Sequence, residues 1–260
     1  MAKSADGGAD GAPDHGEWYD LLNPWGPDND FSLGLVMAAG SVLDVGCGTG
    51  TLLHRAREAG HTGRLCGIDP SGPMLARARR RTDLGIAWVS GDAESLGAHG
   101  LGGFDLVVMT GHAFQCLTTD EALRGALAAV RGALREGGRF VFETRNPLVR
   151  PWERWTPDRA VEVTHPDGRT VRVAHEVRLP VEGDLVRFSE TFSGPGPAGP
   201  QVRQAALRFL GAEALARFLA GAGLAVAERY GDWERGPLTP ASPEIITVAR
   251  RGPGSDRPGA

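Results

Sequence analysis

The residues best suited to chemistry lie in Val42-Leu43-Asp44-Val45-Gly46-Cys47-Gly48-Thr49-Gly50. An apolar run closes on an acid, then on three glycines with one residue between each. Glycine lets a backbone turn sharply and approach a ligand more closely than a Cβ allows. A helix starting just beyond would offer that ligand its free N–H groups. Gly46, Cys47 and Gly48 are therefore candidate contacts for a nucleotide-like molecule, or else only a tight strand-to-helix turn. Asp44 is a candidate ligand acid or a structural one. Asp69, in Gly67-Ile68-Asp69-Pro70-Ser71, falls about 20 residues past the glycines, where a carboxylate can accept hydrogen bonds from both ribose hydroxyls. The same acid could instead cap the following helix.

Such residues need a scaffold, and the sequence supplies its pattern from about residue 41. Short β-branched runs at 41–45, 64–68, 86–90, 104–109 and 139–143 alternate with helical patterns at 49–59, 71–81 and 120–134. That alternation predicts βαβ units and a parallel sheet, whose ligands bind at the carboxyl ends of the strands. After Asn146-Pro147 the period changes. Residues 161–192 alternate apolar and polar, with turns at Pro166-Asp167-Gly168 and Glu182-Gly183-Asp184. Two β-hairpins are expected there, an antiparallel insertion, followed by a loop at 193–200. A helix at 212–222 and strands at 225–230 and 244–249 complete the chain. The expected organisation is a tail at 1–16, a ligand-binding domain at 17–148 and 205–250, a β-rich insertion at 149–204, and a second tail at 251–260. Both tails are small, polar and Gly-rich and are expected to be disordered.

Composition narrows the function classes. A chain of 260 residues, 41% hydrophobic, can bury one substantial core. The net charge of −4 is scattered, with no basic block for a duplex or an anionic membrane. No apolar run is long enough to span a bilayer, and the N-terminus lacks a secretory plan. Cys47, Cys66 and Cys116 match neither a zinc site nor a CxxC pair, so they are expected reduced in a cytoplasmic protein. No metal is expected.

Spacing the glycines at 46, 48 and 50 departs from the G-x-G-x-x-G of dinucleotide folds and resembles motif I of class I S-adenosylmethionine-dependent methyltransferases. Three further segments carry the resemblance. Gly91-Asp92-Ala93-Glu94 is similar to the family's adenine-gripping segment. Phe104-Asp105-Leu106-Val107-Val108-Met109 resembles its fourth strand, and the closing helix, strand and antiparallel strand follow its order. The resemblance implies an α/β fold: a Rossmann-like, seven-stranded, mostly parallel sheet, here with the antiparallel insertion. It implies S-adenosylmethionine as cofactor and S-adenosylhomocysteine as product. Asp92 would accept a hydrogen bond from the adenine amine and the Ala93 N–H would face the ring. Asp69, with Pro70 beside it, would hold the ribose, and Met74 would cover the adenine; a loop acid at 92 and a core methionine at 74 are the plainer alternatives.

In the same resemblance, Thr110-Gly111-His112-Ala113-Phe114-Gln115 lies beside the methionine part of the cofactor. Backbone groups of Thr110 and Gly111 would hold its amino group. His112 is the best-placed general base, or a loop contact. Gln115 is a cofactor contact or a structural amide. After strand five, Arg145 and Asn146 could bind the acceptor, unless Arg145 only fixes a loop carboxylate. Tyr19, in Trp18-Tyr19-Asp20, would form a lid over the cofactor or anchor its helix. The insertion resembles the β-lobe of sugar N-methyltransferases, a pocket roof or a homodimer interface. Trp152, Trp155, His165 and His175 lie in or before it and are individually expected to be structural. No D/N-P-P-Y/F tetrapeptide follows strand four, which speaks against chemistry on DNA bases. The expected activity is in-line methyl transfer to N or O of a small metabolite. A relative doing cyclase or carboxy-transfer chemistry, an NAD-dependent dehydrogenase and a binding-only protein are the alternatives.

Overall fold

Residues 15–81, 84–194 and 199–252 are described by the structure, a computed structural model. Five strands, β1 (Ser41–Val45), β2 (Arg64–Asp69), β3 (Ala87–Ser90), β4 (Phe104–Met109) and β5 (Leu134–Arg145), run parallel. Four more, β6 (Val161–Thr164), β7 (Thr170–Val177), β8 (Leu185–Ser193) and β9 (Gln201–Arg208), form a separate antiparallel sheet in sequential order. The last two, β10 (Leu224–Tyr230) and β11 (Glu244–Arg251), return to the first sheet, whose order is β10-β11-β5-β4-β1-β2-β3. This is the seven-stranded, mostly parallel α/β fold expected, with its antiparallel insertion.

Helices cover both faces of the large sheet. On one side α5 (Asp120–Ala133) and α6 (Ala212–Gly221) pack over Leu43, Val107 and Phe140. The apolar stripe of α5 is Leu123, Ala126, Leu127, Val130 and Ala133, and Thr119 Oγ1 caps it by accepting from the Ala122 N–H at 3.1 Å. On the other side α2 (Pro27–Met37) and α3 (Thr51–Glu58) cover Val42, Leu106 and Val141. A short α1 (His15–Leu22) leads in, and α4 (Gly72–Ala78) follows β2. The pattern-based reading passed over α2, although Gly26-Pro27-Asp28-Asn29 is a helix start: Asn29 Oδ1 accepts from the Gly26 N–H at 2.9 Å.

Several bounds differ from the sequence expectation for physical reasons. The helix expected to reach 81 stops at Ala78, and Arg79 turns back to the Trp88 carbonyl at 3.2 Å. Gly137 and Gly138, between the expected helix at 120–134 and the expected run at 139–143, lie within β5, where the pairing shifts register between Phe104 and Leu106. The two expected hairpins are present as β6-β7 and β7-β8, and a further strand, β9, extends them into one four-stranded sheet. The unforeseen strand, β9, buries only Leu207 and so carries a weak apolar signal, yet it pairs with β8 along its whole length. That ladder runs past residue 205, the expected point of return to the first domain. Arg251 ends β11, and residues 15 and 16 begin α1. The disorder expected at both tails otherwise concerns positions 1–14 and 253–260, outside the described residues, as are 195–198 of the expected loop.

The direction of β11 matters most for the site. Because it is antiparallel to β5, pairing Glu244 with Arg145 and Arg250 with Arg139, its first residue stands at the carboxyl edge of the parallel strands.

Candidate active site

The glycine turn is strapped to the end of β2. Gly46 and Cys47 donate their N–H groups to the Ile68 carbonyl at 2.7 and 3.1 Å. Gly48, at φ 58°, donates to Asp69 Oδ2 at 2.8 Å, and Asp69 Oδ1 accepts from the Ser71 N–H at 2.9 Å. A fully buried carboxylate thus orders both the turn and the strand end. The register pairs Asp69 with Ser90, and the Gly91 N–H donates to the Asp69 carbonyl at 3.1 Å, which brings the next loop alongside. Asp92, exposed, accepts from the Glu94 and Ser95 N–H groups through Oδ1. Ala93 and Met74 are buried and Pro70 is exposed. Gly46, Gly48, Asp69, Pro70, Met74, Asp92 and Ala93 therefore collect at the carboxyl ends of β1 to β3.

A cavity of about 260 Å³ opens next to them, beside the ends of β1, β4 and β5. Seven of the residues expected from sequence line it: Tyr19, Asp44, Cys47, Thr110, Gly111, His112 and Arg145. α1 forms one wall. A Cβ on Gly111 would stand 3.6 Å from the Tyr19 hydroxyl oxygen, and Asp20 Oδ1 accepts from Thr49 Oγ1 at 2.6 Å. On its far side α1 meets the insertion, where Trp18 packs with Val171, Val173 and Phe192, and Glu17 pairs with Arg169. Asp20 and Thr49, absent from the sequence-based set, are as close to the cavity as Tyr19.

Two expected site residues are placed differently. Gln115 is buried; its amide donates to the Arg208 carbonyl at 3.0 Å, and its Oε1 accepts from the Arg145 N–H and Nη1 at 3.3 and 3.1 Å. It joins β5 to the end of β9 and does not line the cavity. Asn146 is buried as well, donating to the Ser242 carbonyl at 2.9 Å and accepting from the Leu148 N–H at 3.1 Å. Buried amides need both donor and acceptor partners, and these two find them in loop backbone. Trp155 stacks under the Arg145 guanidinium, 5.5 Å from ring centroid to Cζ, while Trp152 packs against Phe209. His165 pairs with Asp167, and His175 pairs with Glu190 at 3.1 Å.

The chemistry-bearing group of the cavity is only half visible in the sequence. His112 adopts the left-handed conformation at φ 59° and donates its backbone N–H to Glu143 Oε1 at 2.7 Å. Its Nε2 lies 3.1 and 3.0 Å from the two carboxylate oxygens of Glu244. Burial pushes the Glu143 carboxyl up to about 8, helped by repulsion from Glu244 and Asp28. Burial likewise raises Glu244 to about 7, against the pull of Arg145. His112 is held well below its usual value by burial and by the charge of Arg145. Asp28 of α2 is raised, again mainly by burial. The missed signal is Pro243-Glu244-Ile245-Ile246: an acid flush with a long apolar strand whose start faces the carboxyl edge only because that strand runs backwards.

Residues 42–138 match the family model described as a methyltransferase domain. Over 169 residues the chain is 36% identical to a Streptomyces venezuelae dTDP-3-amino-3,4,6-trideoxy-alpha-D-glucopyranose N,N-dimethyltransferase. That alignment takes in 61% of this chain and 63% of the relative. Over residues 42–138 the chain is thus similar to a methyltransferase domain, and it spans under two thirds of the length of the curated relatives it matches at 30% identity or more. Among solved structures, DesVI of Streptomyces venezuelae superposes with a TM-score of 0.66 at 26% identity, over 94% of this chain and all of that one. An amino pentose methyltransferase from Micromonospora echinaspora, solved with S-adenosylmethionine bound, gives 0.60 at 26% identity over 93% and 92% of the two chains. These similarities support the methyltransferase reading and not the NAD-dependent one. For a methyltransferase the arrangement fits its cofactor: a close-approach turn of left-handed glycines, buried acids at two strand ends, and a cavity reaching His112. Among the described residues no helix is long and apolar enough to cross a membrane.

Proposed function

We propose that this protein transfers a methyl group to nitrogen of a small metabolite, with an amino sugar nucleotide as the acceptor class. The observation that carries this reading is the juxtaposition of the glycine turn with a cavity whose far wall is His112 backed by Glu143 and Glu244. S-adenosylmethionine, when bound, supplies a methyl carbon activated by a sulfonium, so that forming the N–C bond breaks the C–S bond and its electron pair stays with sulfur. Asp69, Asp92, Met74 and Ala93 hold the adenosine end in this reading, and Tyr19, Asp44, Cys47, Thr110 and Gly111 the methionine end. The chain's own residues then have three tasks. α1, held by Thr49 on one side and the insertion on the other, excludes water from the cavity. Arg145, propped by Gln115 and Trp155, orients an anionic part of the acceptor. His112 takes the proton that the nitrogen must lose.

Relatives named for amino sugar substrates support the acceptor class. The scattered net charge of −4 supports an enzyme of small molecules, acting in the cytoplasm without nucleic acid or membrane. Exposed Val161 and Val202, on the two edge strands of the smaller sheet, support pairing of two copies through the insertion. The test is incubation with S-adenosylmethionine and a panel of thymidine diphosphate sugars bearing an amine or a hydroxyl at the same carbon. S-adenosylhomocysteine should accumulate with the amines alone; accumulation only with the hydroxyl sugars, or with none, sinks the proposal.

A further inference from the structure

Glu244 backs His112 in the reading above but is given no task of its own, although it is the side chain that the imidazole meets. Nε2 lies within hydrogen-bond reach of both carboxylate oxygens, and the two groups are only 18% and 14% exposed. A neutral imidazole carries one N–H, and the partner of one nitrogen decides which nitrogen bears it. With Nε2–H donated to Glu244, Nδ1 keeps the lone pair, and Nδ1 has no hydrogen-bonding partner among the described residues. The backbone bond from His112 to Glu143 fixes the loop from the other side.

We propose that Glu244 is a positioning residue that holds His112 as its Nε2–H tautomer, so that Nδ1 receives the proton released by the acceptor nitrogen. This rests on methyl transfer to nitrogen as read above. The N–H bond of the acceptor breaks, its electron pair stays on nitrogen, and the proton passes to Nδ1. The imidazolium so formed is compensated by the carboxylate it already touches. Glu244 is faced by His112 from the loop after β4, by Glu143 and Arg145 from β5, and by Asp28 from α2. Glu244, once ionised, lies against His112, so a proton arriving at the imidazole meets a carboxylate already in contact with it. The pair is ready to accept that proton once pH exceeds about 7, where the Glu244 carboxyl ionises.

The experiment is nitrogen-15 NMR of the full chain with labelled imidazoles, His112 being assigned by loss of its signals in His112→Gln. Above neutrality the wild type should show a protonated Nε2 and a bare Nδ1, with imidazole proton uptake below the usual histidine range. Glu244→Gln keeps an oxygen that accepts from Nε2–H, so the tautomer should persist while the uptake midpoint falls by about one pH unit or more. Glu244→Ala should release the tautomer preference. With a methylated amine in hand, kcat/KM of Glu244→Gln should drop about 100-fold at neutral pH, with S-adenosylhomocysteine affinity unchanged. An unchanged tautomer and midpoint in both variants overturns the role of Glu244, whatever the turnover. The expected NMR behaviour with no amine methylated leaves Glu244 as the positioning partner of His112 and sinks the functional reading instead.

Discussion

Replacing Glu143 with glutamine isolates the cost of one buried carboxyl. Glu143 is 4% exposed, accepts the His112 N–H at 2.7 Å, and has its proton affinity raised from 4.5 to about 8 by burial and by Glu244 and Asp28. A carboxyl whose folded pKa exceeds its unfolded value binds its proton more tightly in the folded state. Its contribution is therefore fully present below about 4.5 and is lost as pH rises towards 8. At about 1.4 kcal/mol per unit, ionisation costs roughly 4 kcal/mol of stability by pH 8. Glutamine keeps the accepting oxygen and cannot ionise. Glu143→Gln should match the wild type within about 1 kcal/mol near pH 5 and exceed it increasingly above pH 6. Urea unfolding followed by tryptophan fluorescence measures this. With a slope of about 2–3 kcal/mol/M, the variant's midpoint at pH 8 should lie about 1.5 M higher. A gap between the two proteins that stays constant from pH 5 to pH 8 would refute the assignment of the ionisation cost to Glu143.

Other outcomes follow from the strand ends. Asp69→Asn sets an amide NH₂ against the Gly48 or Ser71 N–H and removes a charged acceptor, a loss of about 1–3 kcal/mol. Calorimetry should show S-adenosylhomocysteine binding weakened about tenfold or more; wild-type affinity would count against Asp69 as the organiser of the cofactor turn. Gly67→Ala places a Cβ 2.5 Å from the Trp88 ring and 2.8 Å from Cys47 Sγ, and it should destabilise by about 1–3 kcal/mol. An unchanged melting temperature would show that the Trp88 ring can move aside.

Much of the fold was legible because its signals are local. The runs at β1, β2 and β4 are β-branched and bounded by turn residues, and the stripe of α5 has the helical period over its whole length. Where signals were weak, the reading slipped. β9 offers one buried side chain, and its ladder to β8 is a tertiary fact. In α2 a glycine sits inside an otherwise apolar stretch, and the helix is secured by a cap formed across Gly26-Pro27-Asp28-Asn29. Gln115 and Asn146 carry side chains that suit a ligand equally well in sequence. Their use as loop braces follows from which carbonyls happen to lie within reach.

By itself, then, the sequence determined the cofactor class and the alternation of strands and helices that presents it, because a glycine turn, an acid at the next strand end and a following Gly-Asp-Ala segment each act within a few residues of chain. Folding decided the acid–base group. Glu143 and Glu244 are separated by 101 positions from one another in sequence, and neither carries a motif. They meet because β11 runs antiparallel beside β5, setting the start of one strand at the end of the other. Burial there removes the water that would otherwise keep both carboxyls ordinary acids, and this desolvation, a property of the assembled core, is what turns His112 and its neighbours into a proton-handling site.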